Sequence, residues 1–320
     1  MKRLSSYLLK LSQGALEKPA YEFKDWALSE TKKIIPFDAC AWGNGSWVND
    51  TPVIHNIHLH NLAENFIGSW MRFQHEDKLT REVTQHSNRT FNVDLARDYG
   101  GMNIYTIHCN EFGLEHIIST GSIDPDTGII NSLVFYRSDK NKPFTEEERS
   151  LKEILFQHLI EASRINWLTN LPNMFSAYQR SSFNALASCN ADGILHIAMP
   201  SFVEICRKEW SDWKGPFLPA VVLAKIGEDQ IYIGESIAIS IFKIHEITLL
   251  RARDRAPADQ LGVRELEIAQ QIADGNDYKT IALNMGISPS TVKSHTTNIY
   301  LKLGINDKAQ LGAELGKVNF

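Results

Sequence analysis

Lys293, Ser294, Thr297 and Asn298 stand in the stretch "GISPSTVKSHTTNIYLKLG" (residues 286–304), which holds two lysines and no carboxylate in a chain of net charge -5. Lysines without a neighbouring carboxylate suit a polyanion, and hydroxyl and amide side chains both donate to and accept from base edges. Placed on a helix at about 100° per residue, Val292, Thr296, Ile299 and Leu303 gather on one side as a core face. Ser290, Ser294, Thr297 and Leu301 lie opposite, with Lys293 and Asn298 on the flanks. The outer side is small, polar and free of acid, as a helix lying in a major groove requires. An ordinary three-helix bundle with a polar surface has the same pattern, and geometry alone leaves both readings open.

The flanking sequence supplies elements that could position such a helix. "LGVRELEIAQQIADG" reads as a helix with Leu266, Ile268, Ala269, Ile272 and Ala273 on its apolar side and Gly275 as its stop. "NDYKTIALNMG" reads as a short helix capped by Asp277, with Ile281, Ala282 and Met285 inward. "ISPS" is a tight turn in which Ser288 is a good N-cap and Pro289 occupies the first helical position, where its missing N–H costs nothing. "NDKAQLGAELGK" reads as a fourth helix. Two helices joined by a turn of about four residues make a helix-turn-helix.

The run Arg264-Glu265, Gly275, Ile281-Ala282, Ile287-Ser288, Thr291-Val292-Lys293, His295, Asn298-Ile299, Lys302-Leu303-Gly304 and Lys308-Ala309 resembles the LuxR/FixJ-type DNA-binding domain over essentially all of 261–311. Gly262 and Thr280 depart from that pattern, where Thr and Glu are usual; both are cap-type positions and bear on stability, not fold. The resemblance implies phosphate contacts at Lys279, Thr291, His295 and Lys302, and base-facing positions at Lys293, Ser294 and Thr297. Lys293 is then expected to carry most direct readout, with DNA shape contributing. It also implies a dimer contact through the fourth helix, with Leu311 and Leu315 as candidates, and hence a homodimer on pseudo-palindromic double-stranded DNA. Residues 258–320 carry six Lys/Arg against seven Asp/Glu, so one module alone neutralises few phosphates and pairing is needed for affinity.

The 320-residue chain is long enough for two or three domains; 43 % hydrophobic and 22 % charged content argues against disorder, and its acidic balance excludes nonspecific coating of nucleic acid by the whole surface. Cys40, Cys109, Cys189 and Cys206 are far apart and read as buried free thiols, in keeping with a cytoplasmic protein. No apolar run reaches the length of a membrane span, so no membrane partner is expected. Leu4, Leu8, Leu11 and Ala15 recur at helical spacing, so the first helix packs on its own domain or on a second subunit. Strands are expected around 39–42 and 51–60 and across 105–137. Thr145 with Glu148 forms a capping box for a long helix whose stripe is Leu151, Ile154, Leu155, His158, Leu159, Ala162 and Ile165. "TNLPN" (169–173) reads as a linker, followed by a small unit with a helix capped by Ser201 and Glu204 and three closing strands; "RDRAPADQ" (253–260) is the next boundary.

The expected fold is therefore multidomain. Residues 1–168 form an α+β sensor domain that is similar over 20–168 to a GAF-type domain, on element order and the ending "FTEEERSLKEILFQHLIEA". Residues 172–252 form a small α+β domain whose opening, "SCNADGILHIAMPSFVEICRKEW", is loosely similar to a PAS-like unit, and 258–320 form the all-α four-helix module. A phosphoacceptor layout is absent, and the extra middle unit argues against a simple acyl-homoserine-lactone receptor. Trp42, Trp70, Phe73, Tyr99 and Tyr105 are candidates to line a pocket for a small-molecule effector, although core packing is the commoner fate of such residues. In "HNIHLH", His58 and His60 share a strand face, but two histidines are too few for zinc, so no metal and no cofactor are expected. No Walker loop, HExxH or GxSxG is present, so the chain reads as a regulator and not an enzyme. The rival readings are a sensor that acts through protein–protein docking and, behind it, a nucleotide-signalling enzyme.

Overall fold

A computed structural model describes residues 2–174, 185–226, 231–244 and 247–317. The first part of the chain folds as helices α1 (Lys2–Glu17) and α2 (Ala20–Lys32), strands β1 (Ala39–Val48) and β2 (Thr51–His60), helices α3 (Phe66–Phe73) and α4 (Lys78–Gln85), strand β3 (Thr90–Asp94), helix α5 (Leu95–Tyr99), strands β4 (His116–Ile123) and β5 (Ile130–Arg137), and helix α6 (Glu146–Met174). A π-helical turn, Ile104–Cys109, precedes β4. The five strands form one antiparallel sheet in the order β2-β1-β5-β4-β3.

Strand alternation divides this sheet into two faces. Cys40 and Trp42 of β1 and Phe135 of β5 turn towards α1, α2 and α6, where Leu11, Phe23, Leu28, Leu155, Phe156 and Leu159 complete a core. The apolar side of α1 thus packs on its own domain, with Leu4 and Leu8 partly buried against that core. Ala39 and Ala41 turn the other way, to a core shared with α3, α5 and the π-helical turn.

The Thr145–Glu148 capping box forms as expected: the Thr145 N–H donates to Glu148 Oε2 at 2.9 Å, and the Glu148 N–H to Thr145 Oγ1 at 3.2 Å. The buried stripe of α6 is rotated from the expected one. Ile154 is 53 % exposed and His158 is exposed, whereas Lys152, Phe156 and Asn166 are buried beside Leu155, Leu159 and Ala162. Apolar spacing could not find Lys152, which is buried because its ammonium donates to Thr120 Oγ1 and the Leu133 carbonyl, both at 2.7 Å. Residues 169–173 are not a linker but the last turns of α6. Extending an established helix costs far less than nucleating one, so turn-forming residues there do not end it.

A second sheet follows, from β6 (Leu186–Cys189), β7 (Leu195–Ala198), β8 (Ile231–Ile233), β9 (Ile237–Ile244) and β10 (Ile247–Asp254), with helices α7 (Pro200–Glu209) and α8 (Ala220–Leu223) between β7 and β8. Its order is β7-β6-β10-β9-β8. Counted from its own first strand, this is the order of the first sheet. Helix α7 buries Phe202, Val203 and Cys206. Its cap lies two residues before the expected Ser201: Met199 is the N-cap, and Pro200 takes the first helical position, which its fixed φ favours.

Helices α9 (Val263–Ala273), α10 (Tyr278–Met285), α11 (Pro289–Leu303) and α12 (Lys308–Gly316) close the chain as an all-α module. By internal contacts the molecule divides into two compact units. One holds α1 to α6 and the first sheet with residues 194–197 and 214–218; the other holds the rest of the second sheet and the C-terminal helices.

Candidate nucleic-acid interface and buried cavity

The C-terminal module is built around Ile268, Ile272, Ile281, Val292, Ile299 and Leu311, each at most 5 % exposed. The geometry of the turn between α10 and α11 follows from three residues. Gly286 takes the left-handed conformation (φ 64°), which a Cβ would disfavour. Ser288 Oγ accepts the Thr291 N–H at 3.1 Å, and Pro289 opens α11. Arg264 of α9 donates to the Met285 carbonyl at 2.7 Å, placing a cation on the C-terminal end of α10. Gly262 and Thr280 cost little at the positions where they depart from the resembled pattern. Glu265 Oε2 still accepts the Gly262 N–H at 2.9 Å, and Asp277 Oδ1 accepts the Thr280 N–H at 2.8 Å. Replacing Ser288 by alanine removes the cap of α11 and is expected to destabilise the module by roughly 0.5–2 kcal/mol, while glycine costs only a few tenths. Urea unfolding of the two variants checks this, and no loss in the alanine variant would mean the cap bond contributes nothing.

Helix α11 buries Val292, Thr296, Ile299 and Leu303, and exposes Ser290, Lys293, Ser294, Thr297, Asn298 and Leu301. No carboxylate lies on it. Ser294 and Thr297 donate back to the carbonyls of Ser290 and Lys293 at 3.1 Å, so each hydroxyl oxygen keeps acceptor capacity. Lys279 and Lys293 are exposed and form no ion pair among the described residues. Lys302 differs: its ammonium is 2.7 Å from Glu265 Oε2, and this bond, followed by the Gly262 N–H, holds the Glu265 carboxyl below its ordinary pKa. Thr291 and His295 are half-buried, the former with Oγ1 2.8 Å from Ser288 Oγ. Six of the seven expected contact residues therefore lie on α11, of which Lys302 is engaged by Glu265, and Lys279 lies on α10.

Leu311 and Leu315, expected as a dimer contact, turn into the module's own core instead of its surface. They are 0 % and 2 % exposed within the module's own core. A module this small has few apolar residues to spare, so the fourth helix spends its leucines inward. What α12 exposes is Lys308, Ala309, Gln310, Gly312, Ala313 and Gly316.

Residues 259–313 match the family described as bacterial regulatory proteins, luxR family. These residues form a LuxR-family helix-turn-helix domain. The chain is also 40 % identical over 65 residues to the probable transcriptional regulatory protein NarL of Mycobacterium tuberculosis, covering 20 % of this chain and 30 % of that one. It is 37 % identical over 68 residues to the transcriptional regulatory protein YdfI of Bacillus subtilis, covering 21 % and 32 %. The chain thus spans about a third of the length of the curated relatives it matches. Among solved structures, Escherichia coli SdiA aligns over 98 % of this chain and 97 % of its own at 13 % identity, with a TM-score of 0.40. On α11 of this LuxR-family domain, Lys293, Ser294 and Thr297 are all exposed.

Upstream of the LuxR-family domain, a cavity of about 160 Å³ lies between the first sheet and helices α3 to α5. Trp70 and Tyr99 line it; Trp42, Phe73 and Tyr105 do not. Trp42 is an even-numbered residue of β1 and so faces the opposite core, where the Lys24 ammonium sits 5.5 Å from its ring centroid. Tyr105 turns its hydroxyl to Glu115 at 3.2 Å, and Phe73 packs in the adjoining apolar core. On β1 the room comes from Ala41, Gly43 and Gly45. A Cβ on either glycine would meet a carbonyl oxygen of β2 at 2.4 Å, so glycine is required there by close strand approach.

Polar groups enter this cavity sparingly. Asp77 accepts the Trp70 Nε1–H at 2.9 Å and the Thr80 hydroxyl at 2.8 Å, and is the one carboxylate among the lining residues, which include no Lys or Arg. His108 is 3 % exposed, and its ring sits 4.8 Å from Phe66 and 5.2 Å from Phe112 between centroids. Burial lowers the His108 pKa and pushes the Cys109 thiol up to about 12, so both are neutral near pH 7. Asn44 Oδ1 and His108 Nδ1 are buried without a hydrogen-bond partner. No spacing in the sequence marked Asn44 or His108 as a cavity group; the tertiary fold brings them there.

Proposed function

We propose that this protein is a transcriptional regulator that binds double-stranded DNA as a homodimer through the LuxR-family domain, under control of a small molecule held in the N-terminal cavity. The observation that carries the reading is the exposed, acid-free face of α11 with Lys293 unpaired among the described residues, in a segment that matches the family. The proposed division is 1–168 for the sensor, 172–252 for a small intermediate domain and 258–320 for the DNA-binding module. Pairing is needed because the module is near neutral and Lys302 is already engaged by Glu265. Two modules in register on half-sites about one helical turn apart explain a pseudo-palindromic site, and effector binding acts by shifting their placement.

The cavity supports a compact neutral effector. Its volume is on the scale of an engineered cavity that takes benzene, about 150 Å³. Its walls are mostly apolar, and the buried, unsatisfied Asn44 Oδ1 asks for a donor. An anion is disfavoured by the single carboxylate and by the absence of a basic group among the lining residues.

The test uses the full-length protein and a duplex selected by it from a randomised library. Binding is expected to weaken steeply with salt, log K falling against log salt by about 0.9 for each phosphate neutralised. A slope near zero, or failure to enrich any duplex, overturns the DNA reading and favours protein docking.

A further inference from the structure

The face of the first sheet opposite the cavity carries a second constellation. His58 and His60 are two apart on β2, so both imidazoles leave the same face of the strand. Helix α2 brings Asp25 over them. Asp25 Oδ1 lies 3.0 Å from His58 Nε2 and 2.9 Å from His60 Nδ1, and the three donor atoms lie within 4.8 Å of one another. Both imidazoles are half-buried, while the Asp25 side chain is 58 % exposed, so one side of the group opens to solvent.

We propose that Asp25, His58 and His60 form a binding site for a divalent transition-metal ion of the zinc class. Two imidazoles with one carboxylate suit zinc, cobalt, nickel or copper, whereas magnesium and calcium prefer all-oxygen shells. Metal–ligand bonds of about 2.0–2.2 Å in a tetrahedron separate neighbouring donors by roughly 3.3–3.5 Å. The two Asp25–imidazole separations need to open by only a few tenths of an ångström, and the two imidazole nitrogens already lie within 4.8 Å of each other. The frame is already ordered: His58 pairs with Trp42 and His60 with Cys40 across the β1–β2 ladder, and α2 is anchored by buried Phe23, Ala27 and Leu28. Three protein donors leave a fourth position for water or an outside ligand, as in open zinc sites. Lys24, beside Asp25, places a positive charge near His58 and moderates the affinity. An ion here ties α2 to the edge strand of the sheet. Sequence spacing exposes only the two histidines, because Asp25 lies 33 residues before His58.

The experiment is titration of chelator-dialysed full-length protein with Co²⁺, read by its visible ligand-field absorption, and then with Zn²⁺ in competition. One equivalent per chain is expected, displaced by Zn²⁺. Asp25→Asn and His58→Ala should each weaken binding by at least the roughly 10–100-fold that loss of an outer partner costs metal sites. His55→Ala, on the other face of β2, should leave it unchanged. Asp25 is exposed, so Asp25→Asn retains the fold and decides the matter even if His58→Ala does not fold. Absence of a stoichiometric Co²⁺ signal in the wild-type chain overturns the site. So does binding that survives the His58→Ala/His60→Ala double variant, or several weak equivalents indifferent to every variant, which would be adventitious surface coordination.

Discussion

Lys293→Ala is expected to weaken binding to the selected duplex by about 30-fold to 10⁴-fold while leaving the protein folded. The side chain is exposed on the flank of α11 and forms no ion pair among the described residues, so its removal leaves no buried group unsatisfied. Surface changes of this kind usually shift stability by no more than about 0.5 kcal/mol. A good base contact is worth about 1–3 kcal/mol of discrimination, and a symmetric dimer loses it twice. The sum, roughly 2–6 kcal/mol, corresponds to about 30-fold to 10⁴-fold in affinity. Fluorescence anisotropy with a labelled duplex gives the affinity, and circular dichroism on the same sample gives the fold. Unchanged affinity would remove Lys293 from the interface and displace readout to another part of the module.

The second large effect is a dependence of stability on pH that traces to Lys152. This residue is fully buried, donates to Thr120 and the Leu133 carbonyl, and lies 5.1 Å from the Phe135 ring centroid. Burial lowers its pKa from 10.5 to about 7. Between about pH 7 and the ordinary lysine range, the unfolded chain holds a proton that the folded chain does not. Stability contributed through this group therefore rises with pH across that window and is flat below it. At about 1.4 kcal/mol per pKa unit the full swing is on the order of 5 kcal/mol at most. Lys152→Met removes it, so the stability of the variant relative to wild type should fall steadily from about pH 7 to pH 10. Parallel denaturation profiles across that range would show that the ammonium stays charged inside, or that the site opens to water. Because Lys152 ties α6 to β4 and β5 at once, its protonation state bears directly on how the helix seats on the sheet.

The C-terminal module was the most legible part of the chain because its signals are local. Ser288 and Pro289 start α11, Gly286 and Gly304 supply two left-handed stops at φ 64°, and four residues at helical spacing set the buried face. None of this depends on distant residues. The buried cavity was harder for a physical reason. Period-two alternation says that Ala41 and Trp42 face opposite ways, but not which face meets α1, α2 and α6 and which meets the cavity. Aromatic residues drew attention to Trp42, Phe73 and Tyr105, whereas the space on β1 is made by Ala41, Gly43 and Gly45. Lys152 and the group of Asp25 with the two histidines are long-range meetings, invisible to any window along the chain. The leucines of α12 were legible as apolar, but their pattern does not distinguish a core from an interface.

The four thiols were described as buried, and that burial makes them reporters of where the molecule opens. Cys40, Cys109, Cys189 and Cys206 are all free and inaccessible. Burial pushes Cys109, Cys189 and Cys206 up to about 12, so in the folded state an alkylating reagent meets thiols rather than thiolates. Two of them belong to the first compact unit and two to the second, while the C-terminal helices hold none. The rate at which each cysteine becomes labelled therefore measures local opening unit by unit. A ligand bound near either sheet would then show itself by slowing the labelling of the cysteines beside it.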